Sequence, residues 1–68
     1  MIKFKLDELM FKNGKMKVPQ LVELSGLNRN TLYALEKGDV KRIDVETLDK
    51  LCKAFDCKVE DIIEFIPD

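Results

Sequence analysis

The sequence predicts a mainly α domain of five short helices, with apolar tracts at both ends able to pair as a small two-stranded antiparallel ribbon. Three observations lead there. Apolar residues recur at helical spacing in successive short blocks; Leu48, Leu51, Cys52 and Phe55 fall at i, i+3, i+4 and i+7, the stripe of a helix with one buried side. Between the blocks stand stop signals, Asn13-Gly14, Ser25-Gly26 and Gly38, because glycine takes the left-handed C-terminal conformation without a Cβ clash. Strict alternation is confined to the start, where Met1-Ile2-Lys3-Phe4-Lys5-Leu6 reads apolar, then basic, as a short strand does.

Taken in order, helix one runs from about Leu6 to Lys12. Leu6, Leu9 and Met10 supply its apolar side, Phe11 extends that set, and Asp7 and Glu8 suit a helix N-terminus. Lys15-Met16-Lys17 is a basic connector. Pro19, tolerated in a first helical turn, marks the start of helix two. Asp39-Val40-Lys41-Arg42-Ile43 is a loop, Asp44 is the expected N-cap of helix four, and that helix spans about Val45 to Phe55. Asp56 takes the left-handed exit, less comfortably than glycine. A fifth helix covers Val59 to about Ile63, after which Glu64-Phe65-Ile66 has strand-like composition and Pro67 ends regular structure. A ribbon of this size is marginal alone and needs helices or a second chain against it.

The stretch from Lys17 to Gly38 carries the functional signal. Leu21, Val22 and Leu24 are the expected apolar side of one helix, and Leu32 and Leu35 that of the next. Gly26 ends the first, Leu27 pins the turn to the core, and Asn28 caps the second. Two helices joined by a glycine-containing turn, with the second exposed, outline a helix-turn-helix. On the second helix the 3.6-residue period turns Arg29, Asn30, Tyr33 and Lys37 outward and leaves Thr31 at the margin. Arginine grips the O6/N7 edge of guanine with two bonds and asparagine does the same to adenine, while small Ala34 permits close approach to a groove. Polar residues on any surface helix would look similar, so the turn and the charge layout decide between the readings.

Sixty-eight residues make a single domain over 1–68, with one small core. A hydrophobic fraction of 46% suits a folded domain. No apolar run reaches the ~20 residues of a membrane span, and no secretion signal is legible, so a cytoplasmic protein is expected. The net charge of −1 conceals an asymmetry. Residues 1–42 hold nine Lys/Arg against five Asp/Glu, a net +4; residues 43–68 hold three against eight, a net −5. A basic side facing a polyanion and an acidic side turned away fit that split.

The run from Leu6 to Phe65 resembles the Cro-like phage-repressor helix-turn-helix family, the XRE-type regulators, in its short single-domain members. The resemblance rests on Leu21, Gly26, Leu32, Leu35-Glu36-Lys37-Gly38, Lys41-Arg42, Leu48, Leu51, Ala54-Phe55 and Asp61-Ile62. It implies a repressor-like fold and a sequence-specific transcriptional regulator of prokaryotic or phage origin, with repression the expected mode. The second helix of the motif, about 29–37, would lie in the major groove. Asn28, Arg29, Asn30, Tyr33 and Ala34 occupy the base-reading positions. Lys41 and Arg42 would contact phosphate, with Lys17 and Lys37 beside them. Ile2, Phe4, Phe65 and Ile66 fall where small members form a symmetric dimer, which would meet a palindromic operator in double-stranded DNA. An antitoxin-like or other protein-interaction module keeping the same fold is the alternative. The chain departs from the family at Val18, where a phosphate-gripping glutamine is usual, and at Val22, where alanine is usual. Met10 replaces an arginine that pairs with the residue matching Glu36, and Lys58 stands at an N-cap that favours Ser or Thr.

Catalysis has little support. There is no histidine and no CxxC pair, so no zinc site, other metal or cofactor is expected. Cys52 lies on the apolar stripe of helix four and Cys57 follows in a turn, both read as small core hydrophobes. Glu36 reads as a capping or ion-pair residue.

Overall fold

Each helical block forms where its apolar period and its stop signal coincide. The computed structural model describes residues 1–38 and 40–67; Asp39, expected in the loop after Gly38, and Asp68 lie outside them. In chain order come β1 (Ile2–Phe4), α1 (Leu6–Lys12), α2 (Val18–Ser25), α3 (Arg29–Lys37), α4 (Val45–Phe55), a 3-10 turn (Val59–Asp61) and β2 (Ile63–Phe65). Leu6, Met10, Val18, Leu21, Leu27, Leu32, Leu35, Leu51 and Ile62 are buried as one cluster drawn from every helix, from the turn between α2 and α3, and from the approach to β2.

The expected fifth helix is a correction: among the described residues there are four α-helices, and the fifth site is the single 3-10 turn. A new helix has an unfavourable first turn, and here the chain meets a better partner before it can elongate. Ile62 is buried, its carbonyl accepts from the Lys5 N–H at 2.7 Å, and Ile63 opens β2. The ribbon is antiparallel, with Ile2 opposite Phe65, Lys3 opposite Glu64 and Phe4 opposite Ile63. Opposed residues share a face, so Ile2, Phe4, Ile63 and Phe65 form the apolar side. Phe4 and Ile63 rest on the core, whereas Ile2 and Phe65 reach past it.

Two apolar residues fall outside the stripes expected for them. Leu24 is 54% exposed, because the inward line of α2 runs Val18, Leu21, Val22, Ser25. The Ser25 hydroxyl takes the last inward place by donating to the Leu21 carbonyl at 2.7 Å. Phe11 is 65% exposed one position beyond buried Met10, with the Lys15 ammonium 5.9 Å from its ring centre. Asp44 has the extended backbone of an N-cap, yet its side chain makes no capping bond. Thr47 rather than an aliphatic joins Leu51 as a buried residue of α4.

Gly26 ends α2 at φ 74°, ψ 11°, and its N–H donates to the Val22 carbonyl. A Cβ built there would meet nothing within 4 Å, so any cost of a side chain lies in the backbone. Gly26→Val is expected to lower stability by about 1–2 kcal/mol, the penalty of a left-handed L-residue, read as a drop in the urea midpoint. An unchanged midpoint would sink the assignment of that conformation.

Candidate nucleic-acid interface

The α2–α3 turn is built by two hydrogen bonds and one buried side chain. The Ser25 hydroxyl oxygen accepts from the Leu27 N–H at 3.2 Å, Leu27 is buried, and the Asn28 Oδ1 accepts from the Asn30 N–H at 2.7 Å. The angle between the two helices is thereby held by the backbone and by Leu27. Asn28 was expected to read a base, but its carbonyl oxygen is occupied at the helix N-terminus. Its amide N–H groups and the second lone pair of that oxygen stay open, so the cap constrains how Asn28 can be oriented without taking all its bonding capacity. Asn28→Ala is expected to cost about 1 kcal/mol of stability, measured by thermal unfolding; an unchanged midpoint would show that the cap contributes nothing.

From that cap, α3 turns Leu32 and Leu35 into the core. Arg29, Asn30, Thr31 and Lys37 are exposed, Tyr33 is 40% exposed and Ala34 is half-buried. Thr31 was expected at the margin; it is open to solvent and adds a hydroxyl to the outward face of α3. Tyr33 has no cation–π contact with Lys37 among the described residues, so the phenol is not held down by its neighbour. Arg29 and Asn30 share a groove with Pro19, Val22, Glu23 and Asn28, between α2 and the start of α3. Glu23, a carboxylate in that groove, carried no signal in the sequence, because only the packing of α2 on α3 puts it in the lining that Arg29 shares, though beyond ion-pair distance of it. On the other flank of α3, Arg42 lines a second groove with Thr31, Ala34 and Thr47. Lys41 is exposed in the same loop, and Lys17 is exposed at the N-terminus of α2.

Four lysines of the described residues are held in ion pairs, and the cations around α3 are not among them, nor are Lys12, Lys15 and Lys58. Lys3 pairs with Glu8, Lys5 with Glu64, Lys50 with Glu46 and Lys53 with Asp49, all on the ribbon, α1 and α4. Among the described residues, none of Lys17, Arg29, Lys37, Lys41 and Arg42 lies within 4.0 Å of a carboxylate oxygen. Exposed pairs contribute little to stability, so the unpaired set costs the fold little and leaves positive charge available to phosphate.

The departures from the family pattern have structural replacements. Val18 is 4% exposed and belongs to the core, so the side chain that would reach phosphate there is used for packing. Met10 is buried as well, and Glu36 is exposed with no ion pair among the described residues. Apolar contact therefore stands where a salt link is usual. The Lys17 and Lys58 N–H groups, which lack a capping side chain of their own, donate to Gln20 Oε1 at 2.8 Å and Asp61 Oδ2 at 3.0 Å. At the other end of the molecule, Ile2 and Phe65 are exposed, whereas Phe4 and Ile66 are half-buried. Phe4 packs on the core and Ile66 donates its N–H to the Met1 carbonyl at 2.8 Å. No helix of the structure is long and apolar enough to cross a membrane among the described residues.

A capped outward helix set against a second by a glycine turn, with exposed cations on both flanks, defines a helix-turn-helix DNA-binding module. Residues 5–68 match the Cro/C1-type HTH DNA-binding domain, and the chain belongs to that family. It is also similar to an uncharacterized HTH-type transcriptional regulator of Bacillus subtilis (strain 168), YozG. The two are 36% identical over 61 residues, covering 90% of this chain and 73% of that protein.

Proposed function

We propose that the chain is a sequence-specific transcriptional regulator, a repressor, that binds palindromic double-stranded DNA as a homodimer in the cytoplasm of a prokaryote. The observation that carries this reading is the outward face of α3, with Arg29, Asn30, Thr31 and Tyr33 open to solvent beside exposed Lys17, Lys37, Lys41 and Arg42. Arg29 and Asn30 read base edges, with Tyr33 and Ala34 closing on the groove wall. The four cations set register on phosphate. Ile2 and Phe65, exposed on the apolar side of the ribbon, support self-association, which places two recognition helices ~34 Å apart on successive turns of one duplex face.

Selection of bound sites from random duplex DNA, with molecular mass measured in solution, tests this directly. A two-fold symmetric site and a dimer mass are expected; recovery of no preferred sequence would overturn the reading. Lys41→Ala should weaken all sequences alike and lower the slope of log affinity against log salt by about 1. The slope is measured by anisotropy across a salt series, and an unaltered slope would remove Lys41 from the phosphate contacts.

A second reading rests on Val18. With that position packed into the core, one backbone anchor is missing, which favours a protein-binding module, antitoxin-like, that keeps the fold. Such a module would show a shallow salt dependence and no selected site.

A further inference from the structure

We propose that Cys52 and Cys57 are a paired dithiol that closes to an intrachain disulfide by exchange with a small-molecule disulfide such as oxidised glutathione. The local geometry of the α4 exit supplies the pairing. Asp56 takes the left-handed conformation at φ 51°, and the Cys57 N–H returns to the Cys52 carbonyl at 3.0 Å. This six-residue closure is the one in which the fourth-last side chain of the helix and that of the second residue beyond its end meet. Here both are cysteines, and both rest against the core while remaining half-buried. The expectation that both thiols are sealed in the core is thereby corrected. The backbone closure brings the two side chains to one side of the helix end, and the accessible surface left on both admits a small oxidant.

The exchange balances as follows. The Cys52 thiolate attacks one sulfur of the small disulfide, forming a mixed disulfide and releasing one thiolate. Cys57, as thiolate, then displaces the second small thiolate and forms the Cys52–Cys57 bond. One dithiol is oxidised, one small disulfide is reduced to two thiols, and the two protons pass to them. Burial, then the neighbouring Cys52 and Asp61, push the Cys57 thiol up to about 11, which makes it the resolving rather than the attacking sulfur. The bond would tie the end of α4 to the segment leading through the 3-10 turn into β2. It therefore acts on the ribbon and not on α3.

The test is to equilibrate the full chain with reduced and oxidised glutathione at several ratios, folded and in urea, and to weigh the products. The folded chain should lose two hydrogens without gaining glutathione, at a ratio at least tenfold more reducing than the unfolded chain requires. The oxidised form should melt several degrees higher. Cys57→Ser should stop at one glutathione adduct on Cys52. Two adducts on the folded chain, disulfide-linked dimers as the main product, or a closing ratio no different from that in urea would each overturn the pairing.

Discussion

Leu32→Ala is expected to lower stability by about 2–5 kcal/mol, the range for truncating a buried leucine. Leu32 is fully buried on the inner side of α3, which packs against both α1 and α2. A chain of this length has about 3–10 kcal/mol in all, so this one truncation removes anything from about a fifth of it to the whole. Loss of duplex binding should follow the loss of fold and return under stabilising osmolyte. Leu24→Ala, at an exposed position on the neighbouring helix, should stay within about 0.5 kcal/mol. Urea unfolding followed by circular dichroism separates the two. Equal midpoints would mean that α3 is not seated as described, and the orientation of its reading face would fall with it.

Arg29→Ala has the largest expected effect on recognition, about 1–3 kcal/mol of affinity for the selected site with relaxed preference at one base pair. Arg29 is exposed at the first turn of α3, lines the groove beside Asn30, and has no carboxylate partner among the described residues. Its guanidinium is thus undistracted and has the planar fork that guanine accepts. Arg29→Lys keeps the charge but loses the fork, so it should recover non-specific affinity and not the base preference. Anisotropy on a panel of duplexes altered one base pair at a time distinguishes these. An equal loss on every duplex would make Arg29 a phosphate contact.

The bounds of α1, α3 and α4 were legible because their signals are local. Asn28 caps α3 and Gly38 closes it in the left-handed conformation; Asp56 does the same for α4. Leu6 and Met10, Leu32 and Leu35 repeat at helical spacing and all are buried. The site was legible in part for the same reason, since the period alone turns Arg29, Asn30 and Lys37 outward. Asn28 was legible as a cap; its bond to Asn30 then narrows what it can do as a reader.

What the sequence determined by itself is the helical alphabet of this protein, the turn at Gly26 and the outward side of α3. Each depends on residues within one or two helical turns of one another, where backbone sterics and periodicity act without reference to the rest of the chain. Tertiary structure decided the rest. It replaced a fifth helix with a single turn, because Ile63 had β1 to pair with. It left Leu24 and Phe11 in solvent and took Val18 inside, because burial depends on which surfaces meet and not on apolarity alone. It also put Glu23 into the groove that Arg29 lines and turned the chain at Asp56 so that the Cys57 N–H returns to Cys52, arrangements that exist only once distant or turning segments have been folded together.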